Sequence, residues 1–405
     1  MKKAINDNIH LCDTFLFGAL VLLIGSIVRV GASIYLPAMP IIGEELHIDA
    51  ATMSQTLTIY FIVFASFILI AGALSDAYGR RPLLLSGMAF FIVGSTLCAL
   101  AGDFETLMTG RAVQAFGASM IPGTLMATVR DTCSDLRLVS LMGWLAVLGG
   151  LFLVAAPMIG GVLTQWLGWS ANFWFLVLFA TLVLALTWRD IPETHAAHAR
   201  TPLHLFNTLS LVGTMLTAPS FILVMLPIIT FFAIQGLFLA AAPYIVMGTY
   251  GLGPVAFGLS NVIIVIGLFL GRWAGAKLLR RSGSDGVYRI GSQIAAVTAL
   301  LFIALGIGLL SGIVSFFGVV ALFAALFGAL APVGMKSSLT SFRANSGVAA
   351  ALQGATLLGA SAIGSAAFGF LLKLFPHLEA EKAFGLLSAL LCTLAAWAAW
   401  KSKPV

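Results

Sequence analysis

Twelve runs of about twenty mostly apolar residues fill nearly all of this 405-residue chain, separated by short polar or Gly/Pro-rich breaks. They fall at roughly 14–36, 54–74, 83–101, 106–127, 138–163, 170–188, 219–246, 256–276, 287–309, 312–335, 346–372 and 381–400. A helix rises ~1.5 Å per residue, so a ~30 Å hydrocarbon core needs about 20 residues. Backbone polar groups in lipid are satisfied only within helices or closed barrels, and barrel strands would be about ten residues of alternating polarity. The runs therefore predict an all-α membrane protein with about twelve transmembrane helices. Composition agrees, since 60% of residues are hydrophobic and only 9% charged. A soluble domain carries roughly 25% charged residues, and a chain this poor in them could not cover a water-facing surface. The breaks at 102–105 and 310–311 are the shortest, and the count of twelve turns on them.

The net charge of +6 could suggest nucleic acid, but the placement of the charges argues for topology instead. Sixteen Lys and Arg, among them Arg80, Arg81, Arg130, Arg137, Arg280 and Arg281, fall in the tails and in alternate loops. Only Lys373 and Lys382 fall in the other set, and Arg29, Arg111 and Arg272 lie within spans. The positive-inside rule then predicts a bacterial-type inner-membrane protein with both termini in the cytoplasm. The first apolar run is too long for a signal-peptide core and has no small-residue cleavage site after it, so it reads as a retained helix. Cys12, Cys98, Cys133 and Cys392 are scattered without CxxC spacing, which favours buried thiols over a disulfide framework or a zinc site.

The longest polar stretch, Arg189 to Thr208, separates six spans from six. It predicts an N-terminal bundle over 1–188, a cytoplasmic linker over 189–218 and a C-terminal bundle over 219–405, with a substrate path between them. His195, His198 and His204 in the linker have helical spacing, but no carboxylate or cysteine completes a metal set. No cofactor pattern is present. A weak repeat relates GALSDAYGRRPLLL (Gly72 to Leu85) to GAKLLRRSG (Gly275 to Gly283), the second copy lacking the aspartate.

Gly72, Asp76, Gly79, Arg80 and Arg81 make the most specific motif. Gly72 would let two helices approach closely, and Asp76 would accept hydrogen bonds from the start of a neighbouring helix. Gly79 allows a tight turn, and the arginines can pair with Asp131 or Asp135. In span 4, Arg111 and Gln114 share a face three residues apart. An arginine there costs ~2.5–3.5 kcal/mol at the bilayer centre and normally faces a polar interior; snorkelling to the interface is the alternative. Span 5 carries Gly149, Gly150 and then Ala156-Pro157-Met158-Ile159-Gly160-Gly161, a pattern for kinking and close packing.

These strings resemble the signatures of the major facilitator superfamily. The Gly72–Arg81 loop, with Asp131, is similar to its conformational latch. Arg111 to Ser119 resembles its Arg-x-x-Gln-Gly-type motif, with the glycine at 117. The span 5 string is similar to its antiporter motif (Gly149, Pro157, Gly160, Gly161), with Ala156 in place of a glycine. Together with Ser33-Ile-Tyr35-Leu-Pro and Thr128–Asp131, the chain looks like the twelve-helix drug:proton antiporters of the bicyclomycin and phenicol-resistance type. The resemblance implies two six-helix bundles and export of small organic molecules, antibiotics included.

One departure matters. Those relatives often carry an acid just before the Tyr-Leu-Pro, where this chain has Ser33. Seven acids (Glu44, Glu45, Asp49, Asp103, Glu105, Glu379, Glu381) are assigned to the outer side. Eight (Asp7, Asp13, Asp76, Asp131, Asp135, Asp190, Glu193, Asp285) are assigned to the inner side, and none within a span. Arg29 sits one turn below Ser33, at a depth similar to that of Arg111, roughly 8–12 Å from the outer ends of their spans. Two buried cations without a buried carboxylate need compensation, which an anionic substrate bound by both would supply. Headgroup or carbonyl contacts are the alternative. Tyr35, Gln55, Tyr60, Gln114, Gln235, Asn261 and Gln353 are the other polar candidates for the cavity wall, with Phe231, Phe238 and Tyr244 as stacking surfaces.

The expected function is export by alternating access, proton-driven, of drugs or metabolites. A dedicated exporter of an anionic metabolite, such as a carboxylate siderophore, is the rival. The coupling proton would ride on an edge acid such as Asp131 or on the substrate itself. A membrane-embedded transferase would need a base or metal-binding acids near the bilayer surface, and all six histidines lie in tails or loops. The partners expected are a small-molecule substrate, protons and the lipid bilayer, with no nucleic acid, and the chain is expected to act as a monomer.

Overall fold

The computed structural model describes residues 14–200, 213–215, 219–340 and 346–402. Helices α1 (Phe15–Ser33), α2 (Ala50–Tyr78), α3 (Arg80–Ala99), α5 (Asp135–Leu167) and α6 (Ser170–Asp190) follow the apolar runs. Between α3 and α5, helix α4 comes in two pieces, Phe104–Ser119 and Ile121–Thr132, joined at Met120 just before Pro122. A further helix, α7 (Pro219–Pro243), continues as a π turn over Tyr244–Thr249. The chain ends with α10 (Ile313–Thr340), α11 (Ser346–Leu374) and α12 (Ala380–Lys401).

The remaining stretch is one helical run of 53 residues, Pro254–Gly306. At ~1.5 Å per residue it would be ~80 Å long, far beyond a ~30 Å hydrocarbon core. Gly283 breaks it, with φ 65° and ψ −174°. That left-handed conformation suits glycine alone, and it divides the run into α8 (254–282) and α9 (284–306). The break falls at the end of the Gly275–Gly283 repeat, so twelve spans result among the described residues. Exposed Leu178, Ile266, Leu300, Phe370 and Leu390 coat the outside, the surface lipid requires.

Several helices start on a side-chain cap. Asp49 accepts from Thr52 N at 2.7 Å and Asp103 from Thr106 N at 2.7 Å. Both carboxyls are held below the usual range, Asp49 by its bonds to Thr52 and Asp103 by the Thr106 amide. These caps lie at one end of the bundle. The turns carrying Arg80, Arg137 and Arg280 lie at the other, the basic end.

Helices α1–α6 pack on one another and α7–α12 do likewise. The two halves meet mainly through α2 on α11 and α5 on α8. This contact is tightest at the end opposite the basic loops. There Ser365 on α11 donates to the Ser54 carbonyl at 3.0 Å, and Thr58 donates to Ser365 at 3.1 Å. Gly161 on α5 lies so close to the Pro254 carbonyl, and Gly258 to the Pro157 carbonyl, that neither has room for a side chain.

Three expectations are revised. Span 1 does not end near residue 36: a 3-10 turn at Leu36–Ala38 and a short helix at Met39–Glu45 extend it, because Pro37 and Pro40 bend the path without stopping it. Glu381 is no loop acid; it lies in the first turn of α12, buried, and Tyr250 donates to its carboxylate at 2.8 Å. Cys133 is disulfide-bonded, whereas Cys98 and Cys392 are buried free thiols as the spacing suggested. His204 and most of the 201–218 linker lie outside the described residues.

Candidate functional site

A cavity of about 510 Å³ opens between the halves. Its N-half wall comes from α1 (Gly25, Val28, Arg29, Ala32, Ser33), α2 (Tyr60, Phe61, Phe64), α4 (Ile121, Pro122, Leu125, Met126) and α5 (Met142, Leu145, Gly149, Phe152). The C-half contributes Phe232, Gln235 and Leu239 from α7 and Leu358 and Ser361 from α11. These positions run from mid-bundle toward the basic end, below the seal between α2 and α11.

Arg29 is the single charged residue among the described residues of this wall. It is open to the cavity although it sits mid-helix, and among the described residues its guanidinium has no ion pair and no hydrogen bond. Its guanidinium rests against α5, where a Cβ at Gly149 would lie 2.8 Å from the Arg29 Cζ. Ser33 lines the same wall and donates its hydroxyl to the Arg29 carbonyl at 3.0 Å. Tyr60 also lines it, and its hydroxyl has no partner among the described residues.

Arg111 behaves differently. It is fully buried and absent from the cavity wall. Its Nη1 donates to the Gly31 carbonyl at 3.1 Å and to Gln114 Oε1, while Gln114 donates on to Ser95 at 2.8 Å. The rings of Tyr35 and Tyr60 cover the guanidinium at 4.2 Å and 4.3 Å. Cation–π contacts of this kind contribute ~2 kcal/mol or more when desolvated. The structure therefore does not bring Arg29 and Arg111 together on one wall: Arg111, Gln114 and Tyr35, which also hydrogen-bonds Thr56, link α1, α2, α3 and α4 away from the cavity. Snorkelling is equally ruled out for Arg111, since its head never leaves the bundle.

Of the C-half candidates, Gln235 reaches the main cavity, and Phe238 and Asn261 line a second cavity of about 90 Å³ beside it. Phe231 lines that second cavity as well. Gln353 lies elsewhere, donating to Ser338 at 2.9 Å and to the Met335 carbonyl at 3.2 Å.

The charged hairpin between α2 and α3 is a compact knot. Arg80, 4% exposed, donates to Asp76, to Ser75 at 2.9 Å and to Asp131 at 3.2 Å. Asp131, rather than Asp135, is thus its partner among the described residues. Arg81 donates to the Trp188 carbonyl at 2.6 Å and lies over its ring. Gly79 has φ 106°, and a Cβ there would strike the Glu193 carboxylate. Glu193 itself, from the linker, accepts from the Arg80 amide at 3.0 Å and from His195 N at 2.9 Å. Sequence reading missed Glu193, whose signal was only an acid two residues past Ile191 in a polar stretch. It also assigned Gly72 to a helix contact, but a Cβ there would meet nothing within 4 Å. Asp76 spends its carboxylate on Arg80 instead of on a neighbouring helix start.

The antiporter-like string on α5 is a contact surface in three directions. Gly149 accommodates Arg29, Gly160 meets the Ile34 carbonyl of α1 so closely that no side chain fits, and Pro157 with Gly161 faces α8 across the halves.

Comparison with known proteins agrees with this architecture. The chain is 30% identical over 292 residues to a chloramphenicol resistance protein of Pseudomonas aeruginosa, covering 71% of this chain and 67% of that one. It is 29% identical over 167 residues to the multidrug resistance protein MdtL of Shigella flexneri serotype 5b (strain 8401), covering 41% and 43%. The segment shared with an uncharacterised transporter of Rickettsia bellii (strain RML369-C), at 36% identity, spans 40% of each chain. Among solved structures, a D-xylose-proton symporter superposes with a TM-score of 0.74 at 16% identity, covering 96% of this chain and 98% of that one. A peptide transporter POT in complex with sulfate reaches 0.76 at 16% identity, covering 98% and 97%. The family model described as Major Facilitator Superfamily matches residues 21–352, and the chain belongs to that superfamily of multi-pass membrane transporters.

Proposed function

We propose that this protein exports small organic molecules from the cytoplasm by alternating access. The observation that carries the reading is the cavity between the halves, sealed at the end away from the basic loops and reaching toward those loops. With the basic end in the cytoplasm, this is a cytoplasm-facing loading state. Rocking the halves about the cavity would then expose it on the other side, with the Arg80 knot holding the basic ends of α2, α3 and α4 in register. The names of the resistance relatives support drug-like molecules as the cargo, and the proposal takes protons as the counter-flow.

A second reading has its own support. Among the described residues Arg29 is an unpaired cation on the wall, and no carboxylate lines the cavity. Such a wall favours an organic anion. An inside-negative potential drives outward movement of a monoanion by ~2.3 kcal/mol per 100 mV, so efflux would not require a proton acceptor on the protein. Purified protein in liposomes separates the two. Chloramphenicol movement driven by an imposed pH gradient supports proton-coupled drug export, whereas movement of an organic anion driven by a potassium–valinomycin potential supports the anion reading. Absence of both fluxes from a correctly folded preparation overturns the export proposal.

A further inference from the structure

The second cavity has a composition unlike the first. It lies wholly within the C-half, between α7, α8, α10 and α12, and its wall is apolar except for Gln235 and Asn261. Asn261 already donates to the Phe257 carbonyl at 2.9 Å. Phe231 stacks on both Phe323 (4.6 Å) and Phe327 (3.4 Å), so the aromatic wall is pre-organised. Apolar cavities of about 150 Å³ lined by such side chains stay dry and take up benzene. This one, at about 90 Å³, is smaller, with room for no more than one ring. Gln235 and Leu239 line both cavities, and the two therefore share a wall on α7.

We propose that the transported molecule is an amphiphilic organic monoanion whose acid group sits at Arg29 in the N-half and whose aromatic body enters the phenylalanine-lined cavity of the C-half. The proposal rests on the anion reading above and adds the requirement for a ring. Each half alone offers an incomplete site. Arg29 and Ser33, with a Tyr60 hydroxyl that has no partner among the described residues, supply a cation and a polar donor in a wide cavity, with no narrow aromatic slot beside them. The Phe231 face supplies a narrow aromatic slot and no charge. A molecule with both ends satisfied spans the halves, and it gains most when they close on it. That differential affinity is what a ligand needs to shift a two-state equilibrium. A small anion without a ring, or a neutral arene, would bind one half only and would cycle poorly.

The test uses permanently charged probes, which do not cross lipid as neutral acids. Wild-type protein in liposomes is loaded with labelled benzenesulfonate, methanesulfonate or benzyltrimethylammonium, and release is followed under an imposed potential of the sign that favours each ion. The expected result is benzenesulfonate release about tenfold or more faster than methanesulfonate, the benefit of burying a ring, and no release of the cation. Arg29→Gln should weaken benzenesulfonate transport by about tenfold or more. Ala324→Phe, which fills the side cavity from α10, should bring benzenesulfonate down to the methanesulfonate rate. Ala324→Leu serves as a milder filling, and a melting temperature in the wild-type range certifies the fold of each variant. Equal rates for the two sulfonates, both lowered by Arg29→Gln, overturn the ring requirement and leave the anion reading standing. Preferred release of the cation, unaffected by Arg29→Gln, overturns both.

Discussion

Arg29 on α1 and Arg111 on α4 sit in the same half of the molecule, the latter reaching the Gly31 carbonyl two residues from Arg29, and the structure treats them oppositely. Arg111 is enclosed by two tyrosine rings, a glutamine and a backbone carbonyl. Arg29 has the thin side of α5 beneath it and open cavity above it. The contrast teaches that the setting of a charge in a membrane span follows from what surrounds it, and depth alone does not decide whether it is covered or open. One arginine is spent on the fold, and the other is left available.

Breaking the enclosed site should produce the largest effect. Arg111→Ala removes the donor to Gln114 and to the Gly31 carbonyl and leaves both in a dry interior, at about 1–3 kcal/mol each. Together with the lost cation–π contacts, this should abolish folded protein in detergent, or at the least lower its melting temperature steeply. Recovery of a wild-type melting curve would show that these contacts are dispensable. Next in size is Gly160→Ala, whose methyl would collide with the Ile34 carbonyl. Backbone cannot yield as a flexible side chain does, so α1 and α5 should separate, with overpacking costing about 1–3 kcal/mol and thermal unfolding as the readout.

Arg29→Gln should invert the Arg111 pattern. Stability should hold or rise, because an unpaired charge within a span is removed, while vesicle flux of an organic anion falls by about tenfold or more. Loss of folding with this variant would erase the distinction between the two arginines. Gly149→Ala is a finer probe, since its Cβ would lie 2.8 Å from the Arg29 Cζ, the mobile end of a long side chain. The guanidinium should swing aside, raising the KM for an anionic substrate a few-fold with little change in melting temperature. Smallest of all is Gly72→Ala. With open space around it and a helical position, it should keep or gain about 1 kcal/mol of stability; a marked loss would mean that Gly72 packs against something outside the described residues.

Legibility in the sequence depended on the kind of force involved. The spans were legible because lipid imposes a length and a polarity on each one separately. The break at Gly283 was foreshadowed by the Arg280-Arg281 pair that echoes Arg80-Arg81. The Arg80–Asp131 pair was legible because charge in an apolar chain is scarce and its partners are few. Glu193 was missed, since nothing periodic marks a linker acid that folds back onto a hairpin. The aromatic cavity was missed as a unit because thirty phenylalanines conceal the five that line one void.

The sequence by itself determined the solvent, the number of crossings, the family signatures and the presence of Arg29 one turn below Ser33, where relatives of the type it resembles often carry an acid. Those are properties of short segments, set by local hydropathy and residue identity. Which arginine is covered and which is left open, where Glu193 lands and which phenylalanines enclose a void were decided only when twelve helices packed. Such facts depend on contacts between residues tens to hundreds of positions apart, and no single segment encodes them.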